Sequence, residues 1–253
     1  SFIGGKMNKD ADERLVPQGQ YIDANNIRII SGDGNDAGVV KKLLGTTSEA
    51  TFNNDTVSGF LGTKHVMLAL SKYGFHDVSY KLFQQTAYPS WGFSIENGST
   101  SIWERWNSFT KDNSKNSDLN AAMNSFSHYA FGSVAEWMFQ YAAGIDTKYY
   151  GYKNIIIKPA INKNLKFLNS SIKTINGKIT SNWSRKGNKL FMEVVIPVNV
   201  TAQLHIPTNN FSSIKLNNDR LAISKLFHLI SSSDFETVIK LGSGNYVVEF
   251  PLN

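Results

Sequence analysis

One stretch of the chain concentrates the side chains that could do chemistry. Between Trp91 and Trp106 stand two carboxylates, Glu96 and Glu104, and three indoles, Trp91, Trp103 and Trp106, among glycines and serines suited to turns. Indole faces pack against the apolar C–H faces of a pyranose, and carboxylates bind hydroxyls or move protons, so the combination suits a sugar site. The same residues serve equally well as an aromatic cluster fringed by surface glutamates. His128, in Ser127-His128-Tyr129-Ala130, reads on residue type alone as a core histidine at a helix start.

Other chemistries fail on spacing. The run Asp33-Gly34-Asn35-Asp36-Ala37-Gly38 begins like a calcium loop, but Ala37 and Leu44 stand where oxygen ligands are required. Gly242-Ser243-Gly244 leads into Asn245-Tyr246-Val247, a strand pattern, so it is a turn and not a dinucleotide fingerprint. His65, His76, His205 and His228 lack metal-ligand spacing, and there is no Gly-x-Ser-x-Gly nucleophile elbow. With no cysteine in 253 residues, disulfides, Cys-zinc sites and thiol nucleophiles are excluded. Neither a cofactor nor a metal is expected.

The elements that must position these residues change character along the chain. From Val57 to Gln85 the spacing is helical: Val57, Phe60, Leu61, Lys64, Met67 and Leu68 recur at helix intervals, with Lys72-Tyr73-Gly74 as the stop. Asp77 is placed to cap a second helix presenting Val78, Leu82 and Phe83. A third helix carries the stripe Ala130, Val134, Trp137 and Tyr141, widened by Phe131 and Met138 and ended by Gly144. Between the second and third helices, Tyr88 to Trp106 is expected to be irregular and Lys111 to Asn120 an exposed loop.

After Gly151 short strands take over. Ile155-Ile156-Ile157, then Ile179 to Arg185 turning through Lys186-Gly187-Asn188 into Leu190 to Ile196, then Thr201 to Ile206 and Tyr246 to Phe250, read as a β-sandwich. Pro197, Pro207 and Pro251 sit at strand ends, where a missing N–H costs little. Helices followed by strands favour two domains over one mixed sheet. In the first 48 residues, Tyr21 to Ile29 alternates like an edge strand and Ser31 to Asp36 is a turn.

Charge follows the same division. Residues 1–48 carry six basic and six acidic groups, residues 49–150 seven and nine, and residues 151–253 thirteen and five. The excess of eight in the last segment is spread through strand-like sequence, with no arginine cluster and no interleaved aromatics, so it reads as a solvated surface with Lys-rich sheet edges and not as a nucleic-acid site. No run approaches the roughly 18 apolar residues of a membrane helix, so no membrane partner is expected.

Three blocks of sequence, GFLGTKHVMLALSKYGFHDVSYKLFQQTAYPSWGFSIENGSTSIWERW, SFSHYAFGSVAEWMFQYAAGI and GYKNIIIKPA, resemble the C-terminal part of bacterial α-L-rhamnosidases of glycoside hydrolase family 78, a resemblance that covers about residues 55–253. The resemblance implies that residues 49–150 are the C-terminal part of an (α/α)6 catalytic barrel and residues 151–253 an antiparallel β-sandwich. It implies an inverting mechanism on a rhamnose-containing glycoside, in which an acid protonates the leaving oxygen and a base activates water. Carried over by position, Glu104 matches the family's general base and His128 a histidine that binds rhamnose hydroxyls. Trp91 and Trp103 become wall residues, and Glu96 the rival carboxylate. The family's acid-bearing segment, resembling Asp-x-Pro-x-Arg-x-Glu followed by Gly-Trp, has no counterpart here, and Lys9 to Leu15 lacks its proline and its Gly-Trp.

Residues 1–48 are expected not to match rhamnosidases. FIGGKMNKDADERLVPQGQYIDANNIRII and GNDAGVVKKLLGT instead resemble the N-terminus of tail-associated structural proteins of tailed phages, with a junction near Ser48 to Asn54. That resemblance implies a non-catalytic virion or glycan-binding protein with phage tail partners. The rhamnosidase resemblance implies an extracytoplasmic or periplasmic location, and the tail resemblance a virion.

Overall fold

The computed structural model describes residues 60–110, which end on the short strand β3 (Phe109–Thr110), 124–221 and 226–252, with the backbone of the short strands β1 (Met7–Lys9), β2 (Leu15–Pro17) and β4 (Asp118–Leu119). The expected strand at Tyr21 to Ile29, the turn and failed calcium loop after it, and most of the loop from Lys111 to Asn120 lie outside the described residues. The chain divides into two compact units, Ser1–Trp137 and Met138–Asn253.

In the first unit, helices α1 (Phe60–Lys72) and α2 (His76–Gln84) are joined at Gly74, whose φ of +86° only glycine adopts without strain. The buried face of α1 is Thr63, Val66, Met67, Leu70 and Ser71, one position off the expected stripe, so Lys64 and Leu68 are only half-buried. Asp77 does not cap α2. It stands inside the first turn, where its charge suits the helix dipole, and the cap position is held by Phe75 with no side-chain hydrogen bond.

The expected third helix is wound three ways: a 3-10 turn over Ala130–Ser133, one α-turn, α4 (Val134–Trp137), and a π turn over Met138–Ala142. Trp137, 1% exposed, is the centre of this unit's packing. Its ring meets Tyr80 edge-on at 5.2 Å and Phe83 at 5.4 Å. Its indole N–H donates to Ser71 Oγ at 2.8 Å, Ser71 Oγ donates to Ser79 Oγ at 3.1 Å, and Ser79 Oγ reaches the Met67 carbonyl at 3.4 Å. Burial of these polar groups is tolerated because each has a partner.

The second unit packs two sheets over one apolar core. The larger runs β13-β12-β16-β10-β9-β7, with β8 also paired to β9; the smaller runs β14-β15-β11-β6-β5. The strands are β5 (Ile145–Thr147), β6 (Asn154–Ile157), β7 (Phe167–Leu168), β8 (Ser171–Thr174), β9 (Gly177–Lys186), β10 (Lys189–Ile196), β11 (Thr201–Ile206), β12 (Lys215–Leu216), β13 (Asp219–Arg220), β14 (Phe227–Ser232), β15 (Thr237–Leu241) and β16 (Gly244–Pro251). Alternation is strict where it matters. Leu190, Met192, Val194 and Ile196 of β10, and Tyr246, Val248 and Phe250 of β16, point into the core shared with Ile155, Ile157, Leu204 and Ile206. Pairing is antiparallel except between β6 and β11, which run parallel, a departure from the all-antiparallel expectation. The residues between them, 158–200, run through the larger sheet before the chain returns, so no tight hairpin joins this pair.

Gly144 ends the π turn at φ +69°, and a Cβ there would stand 2.1 Å from the Pro159 nitrogen and 2.2 Å from the Lys158 carbonyl carbon. Gly144→Ala is therefore expected to destabilise the protein by about 2 kcal/mol or more, measured by urea unfolding; a change within about 0.5 kcal/mol would contradict the close approach. Burial works against ionisation of Glu236, but hydrogen bonds from His205 at 3.0 Å and Lys158 outweigh it and hold its pKa below the ordinary 4.5. A depressed carboxylate stabilises the fold above its unfolded pKa and loses that contribution as pH falls through its folded value. Glu236→Gln should thus lower the Tm at neutral pH, and the difference from the parent should shrink as pH drops below 4.5.

Candidate active site

The site is built in the first unit, where an extended segment meets the run that leads into the 3-10 turn at Ala130. The Glu104 N–H donates to the Ser125 carbonyl at 2.9 Å and the His128 N–H to the Ile102 carbonyl at 2.7 Å. The Ser101 hydroxyl also donates to the Phe126 carbonyl. Residues 101–104 and 125–128 thereby run antiparallel, and Glu104 and His128 come to one seam although 24 positions separate them in sequence.

The seam also holds the carboxylate. Ser125 N–H donates to Glu104 Oε2 at 2.6 Å. Glu104 is half-buried, and among the described residues its other oxygen, Oε1, has no protein partner. One oxygen is fixed by the backbone and the other is left to accept a proton. On His128, Nδ1 accepts from the Ala130 N–H at 3.3 Å, which assigns the ring proton to Nε2 and makes that nitrogen a hydrogen-bond donor. The His128 ring stacks on the exposed Tyr129 ring at 5.4 Å and 11°.

Beside the seam lies a cavity of about 350 Å3 lined by Trp91, Trp103, Trp106 and Phe131 with Ile95, Ile102 and a rim of Ser94, Ser99, Thr100 and Ser101. Its walls are fixed by ring contacts and one hydrogen bond. Trp106 stacks on Phe131 at 3.8 Å and meets Trp91 edge-on at 5.2 Å, and the Trp91 indole N–H donates to the Phe131 carbonyl at 3.1 Å. Trp103, 7% exposed, sets its edge against Phe126 at 5.7 Å, linking the cavity wall to the seam. The stretch expected to be irregular holds a short helix, α3 (Trp91–Glu96), which carries Trp91. Ser90 caps it by accepting from the Phe93 N–H at 2.9 Å, and Gly92 lets it approach Gln85, since a Cβ there would fall 2.4 Å from the Gln85 carbonyl oxygen.

The structure thus gathers the expected residues into two adjoining groups. Trp91 and Trp103 share the cavity, Glu104 and His128 share the seam, and neither Glu104 nor His128 lines the cavity. Glu96 stands exposed at the last position of α3, outside both groups. Sequence reasoning left out Trp106 and Phe131 as walls, although both lie in the quoted blocks. It also left out Ser125 and Ser108, for which no signal exists: a backbone donor and a buried hydroxyl announce themselves only in three dimensions. No cluster of three or more His, Asp or Glu side chains with metal-site geometry occurs among the described residues.

Ser108 is fully buried and spans both sides of the seam, with its Oγ 2.8 Å from the Arg105 carbonyl and 3.1 Å from Asn124 Oδ1, and it receives the Arg105 N–H at 3.3 Å. Ser108→Ala should cost about 1–3 kcal/mol and speed hydrogen exchange at the Ser125 amide, read by NMR; unchanged protection there would show that the seam does not need this hydroxyl.

Comparison with known proteins now bears on this geometry. Residues 28–142 match the bacterial alpha-L-rhamnosidase six-hairpin glycosidase domain, and residues 144–220 match the bacterial alpha-L-rhamnosidase C-terminal domain. An alpha-L-rhamnosidase of Formosa agariphila is 37% identical over 245 residues, 97% of this chain and 25% of that protein. Among solved structures, the Streptomyces avermitilis alpha-L-rhamnosidase complexed with L-rhamnose superposes with a TM-score of 0.72 at 25% identity, covering 91% of this chain and 22% of its own. The alpha-L-rhamnosidase from Dictyoglumus thermophilum superposes with a TM-score of 0.68 at 29% identity, covering 85% of this chain and 22% of its own. The chain spans about a quarter of the length of these relatives.

These matches correct the expectation for the N-terminus. The six-hairpin match begins at residue 28 and the Formosa match covers 97% of the chain, so rhamnosidase similarity reaches into residues 1–48, where none was expected, and the phage-tail resemblance is not supported. Forty-eight residues with little apolar patterning are too short a text to tell one protein family from another. With the two domain matches in sequential order and together covering most of its length, the chain belongs to the bacterial α-L-rhamnosidase family.

Proposed function

We propose that this chain supplies the base-bearing half of an inverting α-L-rhamnosidase site acting on terminal α-L-rhamnosides. The observation that carries the proposal is the carboxylate of Glu104, held through one oxygen by the Ser125 N–H and sharing a seam with His128 beside an indole-walled cavity. In this reading Glu104 Oε1 takes a proton from water as the water oxygen bonds to the anomeric carbon and the glycosidic C–O bond breaks. His128 Nε2–H donates to a rhamnose hydroxyl. Trp91 and Trp103 form the wall against the sugar's methyl-bearing face, and Glu96 is the second-ranked carboxylate.

The proton for the leaving oxygen comes from an acid that residues 1–253 do not provide; the resemblance puts it in the Asp-x-Pro-x-Arg-x-Glu segment. Residues 49–150 form the C-terminal part of an (α/α)6 barrel in this reading, and residues 151–253 the sandwich that follows it. An extracytoplasmic or periplasmic setting, where rhamnose-containing glycans are met, goes with it.

An aryl α-L-rhamnoside is the substrate of choice for the test, because a phenolate-type leaving group needs little help from an acid. Glu104→Gln should lower its turnover by roughly 10²–10⁴-fold, the usual contribution of a positioned base. Turnover equal to that of the parent would refute the assignment.

A further inference from the structure

The excess positive charge of the second unit is not where the sequence suggests. Lys178 and Lys186 lie on β9 and Lys189 on β10, interior strands of the larger sheet, so protection of sheet edges does not account for them. The register puts Lys173, Lys178, Lys186, Lys189, Lys215 and Arg220 on the outer face of that sheet, against only Glu193 and Glu249. Glu249 pairs with Lys189 at 2.6 Å and Lys215 at 3.6 Å, and Glu193 accepts from the Asn182 amide at 3.4 Å. Among the described residues Lys173, Lys178 and Lys186 have no carboxylate partner. Moreover, Lys173 stands directly across from Lys178, and Lys186 from Lys189. Like charges in directly opposed positions destabilise a sheet, so this arrangement works against folding.

The rest of this face is built to touch a polymer of sugars. Every outward residue of β9 carries a cation or a hydrogen-bonding group: Lys178, Thr180, Asn182, Ser184 and Lys186. At about 3.3 Å per residue they form a line of roughly 27 Å with a cation at each end. Phe167 and Phe191 both stand opposite Ser184, one on each neighbouring strand, which puts the two rings about 10 Å apart across the line. Phe167 is 61% exposed, and the Lys186 ammonium lies 5.3 Å from the Phe191 ring centre. Ring faces receive pyranose C–H faces, amide and hydroxyl groups receive sugar hydroxyls, and ammonium groups receive carboxylate or sulfate.

We propose that the outer face of the larger sheet, along β9, is a binding surface for an acidic polysaccharide, carboxylated or sulfated. It is separate from the Glu104 seam and does not depend on the function proposed for that seam. The test is calorimetric titration of the full chain with polygalacturonate, dextran sulfate, neutral dextran, polyglutamate and duplex DNA. At least one of the two acidic polysaccharides binds, more weakly as salt rises, and tighter than any of the three controls. The double variant Lys178→Gln/Lys186→Gln weakens that binding tenfold or more at a Tm no lower than the parent's, since it relieves both like-charge oppositions. Phe167→Ala weakens polysaccharide binding several-fold and leaves polyglutamate unaffected, and Glu104→Gln leaves all binding as it was. The proposal is overturned if neither acidic polysaccharide binds, if DNA or polyglutamate binds as tightly, or if the lysine and phenylalanine variants change nothing.

Discussion

The site depends on a short antiparallel pairing between residues 101–104 and 125–128. Two backbone hydrogen bonds, Glu104 to Ser125 and His128 to Ile102, fix where the extended segment lies. That placement carries the Ser125 N–H to the Glu104 carboxylate at 2.6 Å, and in the proposed mechanism the second carboxylate oxygen takes the proton from water. A carboxylate on a free side chain would sample several rotamers and hold a water in a productive position only part of the time. Here the backbone does the orienting, and effective positioning of this kind is worth several kcal/mol in a bimolecular step. The indole-lined cavity adjoins the seam because Ile102 and Trp103 line its wall and Glu104 follows them directly in the chain.

Much of this was legible in residue types and spacing, and the failures have physical causes. The strands of the second unit alternate cleanly because one sheet face is buried and the other is wet, so β9, β10, β11 and β16 fall where the pattern puts them. The helices were located, and Ala130, Val134 and Trp137 are buried as their spacing predicts, but the face of α1 was misplaced by one position. In α1 the buried stripe includes Thr63 and Ser71, small polar residues whose burial is made tolerable by the Trp137–Ser71–Ser79 hydrogen bonds, and polar residues do not announce themselves in an apolar count. The helix α3 was missed because only six residues form it, fixed by the Ser90 cap and by the absence of a Cβ at Gly92. Trp91, Trp103, Glu104 and His128 were singled out by composition and resemblance, while Ser108 and Ser125 make their contacts through a hydroxyl and a backbone N–H that any sequence offers in dozens of places.

Charge in the second unit offers the same lesson from the other side. A count of lysines over residues 151–253 gives an excess without a location. Strand register turns it into a face, with Lys178 and Lys186 at the two ends of β9 and Phe167 and Phe191 beside it. The core beneath, with Leu190, Met192, Val194 and Phe250 at 1% exposure or less, supplies the stability against which opposed lysines can be tolerated. In the first unit, by contrast, Ser71, Ser79 and Ser108 are buried with hydrogen-bond partners.

The most direct measurement is a crystal structure of the protein with L-rhamnose bound. Inversion delivers the water oxygen to the β face of the anomeric carbon, so in the product complex that oxygen should lie within hydrogen-bond distance of Glu104 Oε1, with His128 Nε2 on a ring hydroxyl and the Ser125 N–H still on Oε2. A β-L-rhamnose bound elsewhere, or one whose anomeric oxygen is out of reach of Glu104, would contradict the account.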